Sequence, residues 1–250
     1  MSEPLITVTD LSIGWGESML QEHASFEVER GDIFVILGGS GCGKSTLMRH
    51  MIGLEQASEG VVTIAGQPPL HSDAERPRFG VMFQSGALLG SMNVGDNVAL
   101  PLQEWTTLPP EAVYAIVQAK LRLVGLQGSE SKLPSELSGG MRKRAAIARA
   151  IALEPSLVFL DEPSAGLDPV SAMELDELIL TLNAKLALTV VVVTHDLESI
   201  FKIAKHCIML DRASASIIAR GDPRQLRDES QDPRVHAFFN REAAQAETPV

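Results

Sequence analysis

Eight residues near the start of the chain have the types and spacing of a phosphate-binding loop. Residues 38–45 read Gly-Gly-Ser-Gly-Cys-Gly-Lys-Ser and follow the apolar run at residues 32–37. Glycines let backbone N–H groups point inward without a Cβ in the way, and a helix that begins after them presents its positive end to an anion. Lys44 adds a point charge, and the Ser45 hydroxyl is a ligand suited to Mg²⁺. The pattern therefore predicts binding of the β- and γ-phosphates of a nucleotide.

A pair of carboxylates forms the second candidate site. Asp161 and Glu162 come directly after the apolar run at residues 157–160. The end of a buried strand lies at the carboxyl edge of an open α/β sheet, where ligands bind. Asp161 is a candidate ligand of Mg²⁺, directly or through water, and Glu162 is a candidate base for the attacking water. An acidic pair that merely ends a strand in solvent is the alternative interpretation.

Hydrophobic periodicity predicts the elements that position these residues. Apolar runs predict an α/β fold in which sheet segments flank a long helical insertion. The predicted strands are residues 5–13, 26–29, 32–37, 61–64, 79–83, 157–160 and 189–193, and the predicted helices are residues 44–54, several between 84 and 153, 169–186 and 197–205.

Composition excludes several classes of protein. The net charge of −11 and the lack of a basic stripe argue against a nucleic-acid partner. Two cysteines, Cys42 and Cys207, give no disulfide framework and favour a reducing compartment. The most apolar run, residues 186–194, is about half of the roughly 20 residues that a membrane-spanning helix needs. No secretory signal is recognisable at residues 1–6, so we expect a cytosolic protein whose partner provides any membrane span.

A third segment gives the chain its resemblance to a family. Leu137-Ser138-Gly139-Gly140 precedes the carboxylate pair, in the order phosphate loop, Ser-Gly-Gly segment, Asp-Glu. From about Leu5 to about Asp222 the chain resembles the nucleotide-binding subunit of an ABC (ATP-binding cassette) ATPase. The resemblance implies a P-loop NTPase fold with N-terminal antiparallel β strands and an inserted helical subdomain. It also implies a core of residues 1–84 and 154–222, a helical signature subdomain of residues 85–153 and a C-terminal tail of residues 223–250.

The same resemblance assigns ATP and Mg²⁺ as cofactors and gives each candidate residue a role. Glu162 would be the catalytic base, His195 would contact the γ-phosphate, and the Q-loop Gln84 would reach both Mg²⁺ and the attacking water. Metal ligands would be Ser45, Gln84 and Asp161. Nucleotide on the same chain would be bound by Trp15, Gly38, Gly39, Ser40, Gly41, Cys42, Gly43, Lys44, Ser45 and Thr46, with Trp15 stacked on adenine or, alternatively, buried in the core.

Two further segments imply a dimer. Ser138, Gly139 and Gly140 would bind the γ-phosphate of ATP held by a second copy of the chain, so that two ATP molecules join a head-to-tail dimer. Asp168 would help to couple the two active sites, or cap the helix that begins at Pro169, or do both. The basic residues that follow Gly140 are interpreted as a solvated helix face in preference to a direct phosphate role: Arg142, Lys143, Arg144 and Arg149.

The subfamily is indicated by three stretches, residues 83–89, 92–102 and 134–141. Together they look like the ATPase of Mla-type lipid transporters, which work with mammalian-cell-entry (MCE) domain proteins. This resemblance implies a permease dimer and an MCE protein as partners, with or without a STAS-domain subunit. It also implies that phospholipid is moved between the inner and outer membranes of a bacterium. The chain would then lie at the cytoplasmic face of the inner membrane. The alternatives are a different ABC importer or a soluble ABC ATPase without a permease.

The C-terminal region gives weaker signals. Asp232-Pro233-Arg234-Val235 and Phe238-Phe239 are similar to the tail of the Mla-type group. Residues 241–250 are polar and are expected to be mobile, while Phe238-Phe239 is a candidate contact with a second subunit.

Overall fold

The computed structural model describes residues 3–15, 18–69 and 76–241, in two compact units. The first unit consists of residues 1–71 and 193–250, and the second of residues 72–192. The strands are β1 (Ile6–Trp15), β2 (Ser18–Val28), β3 (Ile33–Gly38), β4 (Glu59–Ile64), β5 (Gly80–Met82), β6 (Leu157–Asp161), β7 (Thr189–Val193), β8 (His206–Asp211) and β9 (Ser216–Gly221). The α-helices are α1 (Lys44–Met51), α2 (Val94–Trp105), α3 (Pro110–Leu123), α4 (Gly139–Ala150), α5 (Pro169–Leu186), α6 (Leu197–Ile203), α7 (Pro223–Glu229) and α8 (Pro233–Asn240).

An antiparallel sheet in the order β2-β1-β4 confirms the predicted N-terminal strands. Strand β2 starts at Ser18, whereas the sequence predicted a strand only from residue 26. Its alternation of apolar and polar residues is broken, because Gln21 is fully buried and His23 has a left-handed φ of 53°. Register shifts between β1 and β2 accompany this irregularity, which hid the strand from a period-two pattern.

Strand β3 leads into the phosphate loop and is buried along its whole length. It pairs in parallel with β8, and β8 pairs antiparallel with β9. Neither β8 nor β9 was predicted, since the apolar part of β8 spans only four residues, Cys207 to Leu210. Burial raises the pKa of the Cys207 thiol to about 12, which makes this cysteine a packed, protonated core residue.

The second unit combines strands in the order β5-β6-β7 with helices α2 to α5. Strands β5 and β6 are parallel, as the sequence predicted for this region. Helix α4 approaches β5 so closely that a Cβ built on Gly80 would stand 2.0 Å from the carbonyl oxygen of Ala150. Glycine is therefore needed at this position, and β5 and α4 form one packed body. The proposed limits of the helical subdomain, residues 85–153, lie within this unit and stay a prediction.

Two short helices, α7 and α8, occupy much of the predicted tail. Phe239 is buried, and its ring lies 5.6 Å from that of Phe201 on α6. Arg227 of α7 places its guanidinium 5.0 Å from the centre of the same Phe201 ring. Phe239 therefore packs inside its own chain, while Phe238 is half-buried and a contact of this pair with a second subunit stays a prediction. Residues 242–250 lie outside the described part. Among the described helices, none combines the length and hydropathy that crossing a membrane requires.

Candidate functional site

The phosphate loop in the first unit depends on three glycines with positive φ. Gly38, Gly41 and Gly43 have φ values of 146°, 73° and 98°. A Cβ built on Gly38 would stand 2.4 Å from the carbonyl oxygen of Leu210, so the loop can pass β8 only without a side chain there. Gly43 is the N-cap of α1, whose first residue is Lys44. The loop therefore delivers the chain to a helix N-terminus, which favours an anion.

Lys44 folds back on the phosphate loop. Its side chain is buried, with 9% exposure, and Nζ donates to the carbonyl oxygens of Gly38 and Gly39, both at 2.9 Å. Cys42, between these glycines and the lysine, is buried as well, and burial raises the pKa of its thiol. The loop is thus held by an ammonium group, and its cysteine is a packed neutral residue and not a nucleophile.

Gln21 on β2 braces the same loop, a role that no pattern in the sequence indicated. Its Nε2 donates to the carbonyl oxygens of Cys42 at 3.1 Å and Asp211 at 3.2 Å. The residue is fully buried, and within the described part of the chain Oε1 accepts no hydrogen bond. Gln21 therefore joins β2, the phosphate loop and the end of β8.

His195 also belongs to the first unit. The amide of Thr194 donates to the carbonyl oxygen of Ile36 at 3.3 Å, so the segment before His195 runs beside β3, two residues ahead of Gly38. Thr194 is buried and His195 is exposed. Asp196 caps α6 by accepting from the amide of Glu198. Together these contacts place His195 at a fixed turn next to the strand that carries the phosphate loop.

In the second unit, Asp161 ends β6 and Glu162 follows it, at the strand end that the sequence predicted. Both are buried, with exposures of 5% and 8%. Glu162 has a φ of 46°, a left-handed conformation that is uncommon for a residue with a side chain. Its carbonyl oxygen accepts from the amide of Ala165 at 3.2 Å, which closes a turn after the strand. The backbone at Glu162 is therefore held in a strained orientation by its surroundings.

The Ser-Gly-Gly segment begins helix α4 in the same unit. Ser138 is the N-cap, and its Oγ accepts from the amide of Met141 at 3.2 Å. A Cβ built on Gly139 would stand 3.3 Å from Leu167, and one on Gly140 would stand 3.6 Å from Ser171. The glycines thus bring the start of α4 close to the segment around Asp168. This helix N-terminus carries the donors that anion binding requires.

Asp168 caps helix α5. Its Oδ1 accepts from the amides of Val170 at 3.1 Å and Ser171 at 3.0 Å, and the Ser171 hydroxyl donates to Oδ2 at 2.6 Å. These hydrogen bonds, above all the one from the Ser171 hydroxyl, lower the pKa of Asp168. The capping interpretation is confirmed, while the coupling role stays a prediction.

The basic residues of α4 correct the sequence interpretation. Lys143 is buried, with 8% exposure, and Nζ donates to the carbonyl oxygens of Gln84 at 2.5 Å and Glu162 at 3.1 Å. Arg149 donates to the carbonyl oxygens of Gly86 at 3.0 Å and Ala87 at 2.7 Å. The prediction of a solvated face is wrong for these two residues, whose side chains bind the backbone of the segment after β5. Lys143 lies four residues before the buried Ile147, on the same face of the helix, and this spacing could have indicated that Lys143 is buried.

Asn97 fixes the continuation of that segment. It is fully buried, accepts from the amide of Leu89 at 2.7 Å and donates to the carbonyl oxygens of Leu89, Met92 and Asn93. One side chain thus satisfies four backbone groups of a loop that has no strand or helix of its own. The backbone of residues 89–93, which follow the Q-loop, is therefore held in one conformation by Asn97.

Comparison with known proteins identifies the family of the chain. Residues 21–165 match the ABC transporter family. The chain belongs to the ABC transporter family. It is 43% identical to the intermembrane phospholipid transport system ATP-binding protein MlaF of Escherichia coli K12, over 94% of this chain and 88% of the relative. It is 40% identical to the probable ribonucleotide transport ATP-binding protein mkl of Mycobacterium leprae, over 94% of this chain and 68% of the relative.

A solved ABC ATPase has the same fold. The ATP-binding cassette MJ0796, a dimer in a post-hydrolysis state with bound ADP and phosphate, superposes with a TM-score of 0.77 at 26% identity, covering 87% of this chain and 98% of that chain. The predicted fold class is confirmed. The protein is therefore an ABC ATPase that binds ATP, and its hydrolysis of ATP is coupled to transport.

The two units of the ABC ATPase divide the predicted residues between them. The first unit holds residues 38–46 and His195, and the second holds Gln84, residues 138–140, 161–162 and Asp168. Trp15 ends β1, but its side chain lies outside the described part, so its contact with adenine is untested. The individual roles of these residues in binding and hydrolysis remain predictions.

Proposed function

We propose that this ABC ATPase powers the transfer of phospholipid, or a related hydrophobic lipid, between the inner and outer membranes of a bacterium. The observation that carries the proposal is the 43% identity to MlaF across 88% of that relative's length. The three stretches that resemble the Mla-type group lie in the second unit, at residues 83–89, 92–102 and 134–141.

The phosphate loop is proposed to bind ATP. Side chains at its positive-φ glycine positions would disfavour the loop conformation. The N-terminus of α1 and Lys44 offer positive charge to the phosphates. Gly39, Ser40, Gly41 and Cys42 contribute backbone amides, and Thr46 follows within the first turn of α1. Trp15 is proposed to stack on adenine.

Mg²⁺ fits the donors that the chain offers. Ser45, Asp161 and Gln84 all provide oxygen atoms, which are the ligands that Mg²⁺ prefers. When bound, the ion neutralises charge on the β- and γ-phosphates. Glu162 accepts the proton of the attacking water, His195 donates to the γ-phosphate, and Gln84 orients the water.

A second copy of the chain is the proposed partner in ATP binding. Ser138 and the amides of Gly139 and Gly140 bind the γ-phosphate held by that copy, and Asp168 couples the two sites. The dimeric state of MJ0796 supports this arrangement. Closure of the dimer on two ATP molecules, and its reopening after hydrolysis, drive the permease.

A groove in the second unit is the proposed docking surface for the permease. It has a volume of about 470 Å³, with Glu104 and Arg149 among its charged residues and apolar walls from Phe79, Leu100, Pro101, Trp105, Leu153 and Pro155. Arg149 connects the groove to the Q-loop, because it binds the carbonyl oxygens of Gly86 and Ala87. We infer an inner-membrane permease dimer with an MCE protein, with or without a STAS-domain subunit, and a location at the cytoplasmic face of that membrane.

Purification of the tagged chain from detergent-solubilised native membranes tests the cargo. Mass spectrometry should identify a permease, an MCE protein and bound phospholipid. A permease accompanied by a solute-binding protein would replace the lipid assignment with an importer, and a ribonucleotide cargo would instead agree with the name of the mkl relative. Cytosolic partners alone would contradict the transporter assignment.

Substitution of the proposed base tests the hydrolytic step. We expect Glu162→Gln to lower kcat by at least about 100-fold, because the amide cannot accept the proton of the attacking water. The variant should still bind ATP and accumulate as an ATP-bound dimer, which gel filtration with ATP detects. Normal turnover would remove Glu162 from the role of base.

A further inference from the structure

The ammonium group of Lys143 connects two segments that the proposed mechanism uses separately. Its Nζ lies 2.5 Å from the carbonyl oxygen of Gln84, at the start of the Q-loop, and 3.1 Å from that of Glu162. The two acceptors lie 59 and 19 residues away in sequence. Lys143 itself belongs to α4, five residues after the N-cap Ser138. One side chain therefore joins the start of the Q-loop, the end of β6 and the signature helix.

The hydrogen bond to Glu162 fixes an unfavourable backbone orientation. Glu162 has a φ of 46°, and its carbonyl oxygen accepts from Lys143 and from the amide of Ala165. A side chain is rarely stable in this conformation unless its surroundings hold it there. The carbonyl group and the side chain of Glu162 share one Cα, so a hydrogen bond to this carbonyl oxygen helps to hold the backbone from which the side chain projects. Lys143 thus supplies one of the hydrogen bonds that hold the backbone of Glu162, from which the carboxylate side chain projects.

The charges around Lys143 agree with this role. Burial lowers the pKa of Lys143, and the carboxylates of Asp161 and Glu162 oppose that shift. A lysine ammonium group donates up to three hydrogen bonds, enough for both carbonyl oxygens. A charged donor also binds carbonyl oxygens more strongly than a neutral donor does.

We propose that Lys143 is a positioning residue for ATP hydrolysis: it sets the orientation of Glu162 and holds the start of the Q-loop in register with it. The proposal rests on the roles given to Glu162 and Gln84 in the proposed function. Lys143 acts through these two residues and needs no contact with nucleotide. Its loss should therefore slow the chemical step and leave ATP affinity nearly unchanged.

Lys120 provides a matched control in the same unit. It is also a buried lysine, with 7% exposure, and its Nζ lies 2.9 Å from Glu154 Oε1. Lys120→Met removes a buried ammonium from a helix of the second unit, as Lys143→Met does, but leaves the backbone of Gln84 and Glu162 with its donors. General damage from the loss of a buried charge would affect both variants alike.

The experiment measures kcat, KM and ATP affinity for the full-length chain and its Lys143→Met, Lys143→Arg and Lys120→Met variants. We expect Lys143→Met to lower kcat by at least about tenfold, with KM and the Kd for ATP within about threefold of the original. Lys143→Arg, which keeps charge and donors, should recover kcat to within about threefold. Lys120→Met should stay within about twofold in all three quantities.

Three results would overturn the proposal. They are an unchanged kcat in Lys143→Met, a parallel loss of ATP affinity, and an equal loss of kcat in Lys120→Met. If Lys143→Met does not fold, Lys143→Gln takes its place under the same criteria, because glutamine keeps a neutral donor in a shorter side chain.

The Glu162→Gln variant separates this proposal from the proposed function. Normal turnover in Glu162→Gln would remove the base and with it the reason for positioning it. If Glu162→Gln is inactive and Lys143→Met is fully active, the assignment of Glu162 as the base stands, and only the positioning role of Lys143 is rejected.

Discussion

The two units each contain a buried lysine that donates to two backbone carbonyl groups, but the distances along the chain differ. Lys44 in the first unit binds Gly38 and Gly39, which lie six and five residues before it. Lys143 in the second unit binds Gln84 and Glu162, which lie 59 and 19 residues away. The exposures are nearly equal, at 9% and 8%.

We interpret this difference as one between a lysine that is proposed to bind phosphate and a lysine that holds distant segments together. The contacts of Lys44 lie within its own loop, so the ammonium can turn to a phosphate while the loop keeps its glycine geometry and its brace from Gln21. The contacts of Lys143 join distant segments, and their loss would free a strand end and a loop together. We expect Lys44 to determine affinity for ATP, and Lys143 to determine stability and the orientation of Glu162.

Among the variants that compare the two units, the largest effect should follow from Lys44→Ala. Loss of the ammonium removes a charged hydrogen bond to the phosphates, which corresponds to a fall in ATP affinity of about 10- to 100-fold. Isothermal titration with Mg-ATP measures this. Lys205→Ala is the control, because Lys205 in the same unit also donates to a backbone carbonyl, that of Gly31, and should keep full affinity. Undiminished binding by Lys44→Ala would contradict its assignment.

Unfolding experiments should show the reverse order for the two lysines. Lys143→Met leaves two carbonyl groups of separate segments without their charged donor, so we expect its free energy of unfolding to fall by about 2 kcal/mol. Lys44→Met should lose less than about 1 kcal/mol, because a short loop can rearrange around its own carbonyl groups. Urea titration without nucleotide compares them. Equal losses would remove the distinction between the lysines.

A smaller effect is expected at Gln21, the brace of the first unit. Gln21→Leu removes two hydrogen bonds, to Cys42 and Asp211, but also removes the buried Oε1 that accepts none within the described residues. The two effects partly cancel, so we expect a loss of about 1 kcal/mol in the free energy of unfolding. KM for ATP should rise by less than about threefold. An unchanged urea midpoint and KM would show that the loop needs no support from β2.

The sequence predicted what depends on local patterns. The phosphate loop, the carboxylates after β6 and helix α5 were placed correctly, because glycine spacing, an apolar run and a Pro-started helix are visible in a short window. The hydrogen bonds of Gln21 to Asp211 and of Lys143 to Gln84 span 190 and 59 residues. No local pattern contains both ends of such a contact, so Gln21 was not singled out in the sequence and Lys143 was interpreted as a surface charge.

Most of strand β2 and the whole of strand β8 escaped prediction, for different physical reasons. In β2, a left-handed His23 and a buried Gln21 interrupt the alternation, and tertiary pairing with β1 overrides the weak local preference. In β8, the apolar run is short and its burial comes from pairing with β3 and β9. The helices α7 and α8 begin at Asp-Pro pairs, but they were not predicted within the tail because they are only seven and eight residues long.

The discontinuity of the first unit has a consequence for the growing chain on the ribosome. The second unit is one continuous segment, residues 72–192, whereas the first is completed by residues 193–250. Strand β3 pairs with β8, and Gly38 is placed against Leu210, so the phosphate loop lacks this support until β8 has been synthesised. At about 5–20 residues per second, that delay is on the order of ten seconds. The unit that carries the phosphate loop therefore begins first and is finished last.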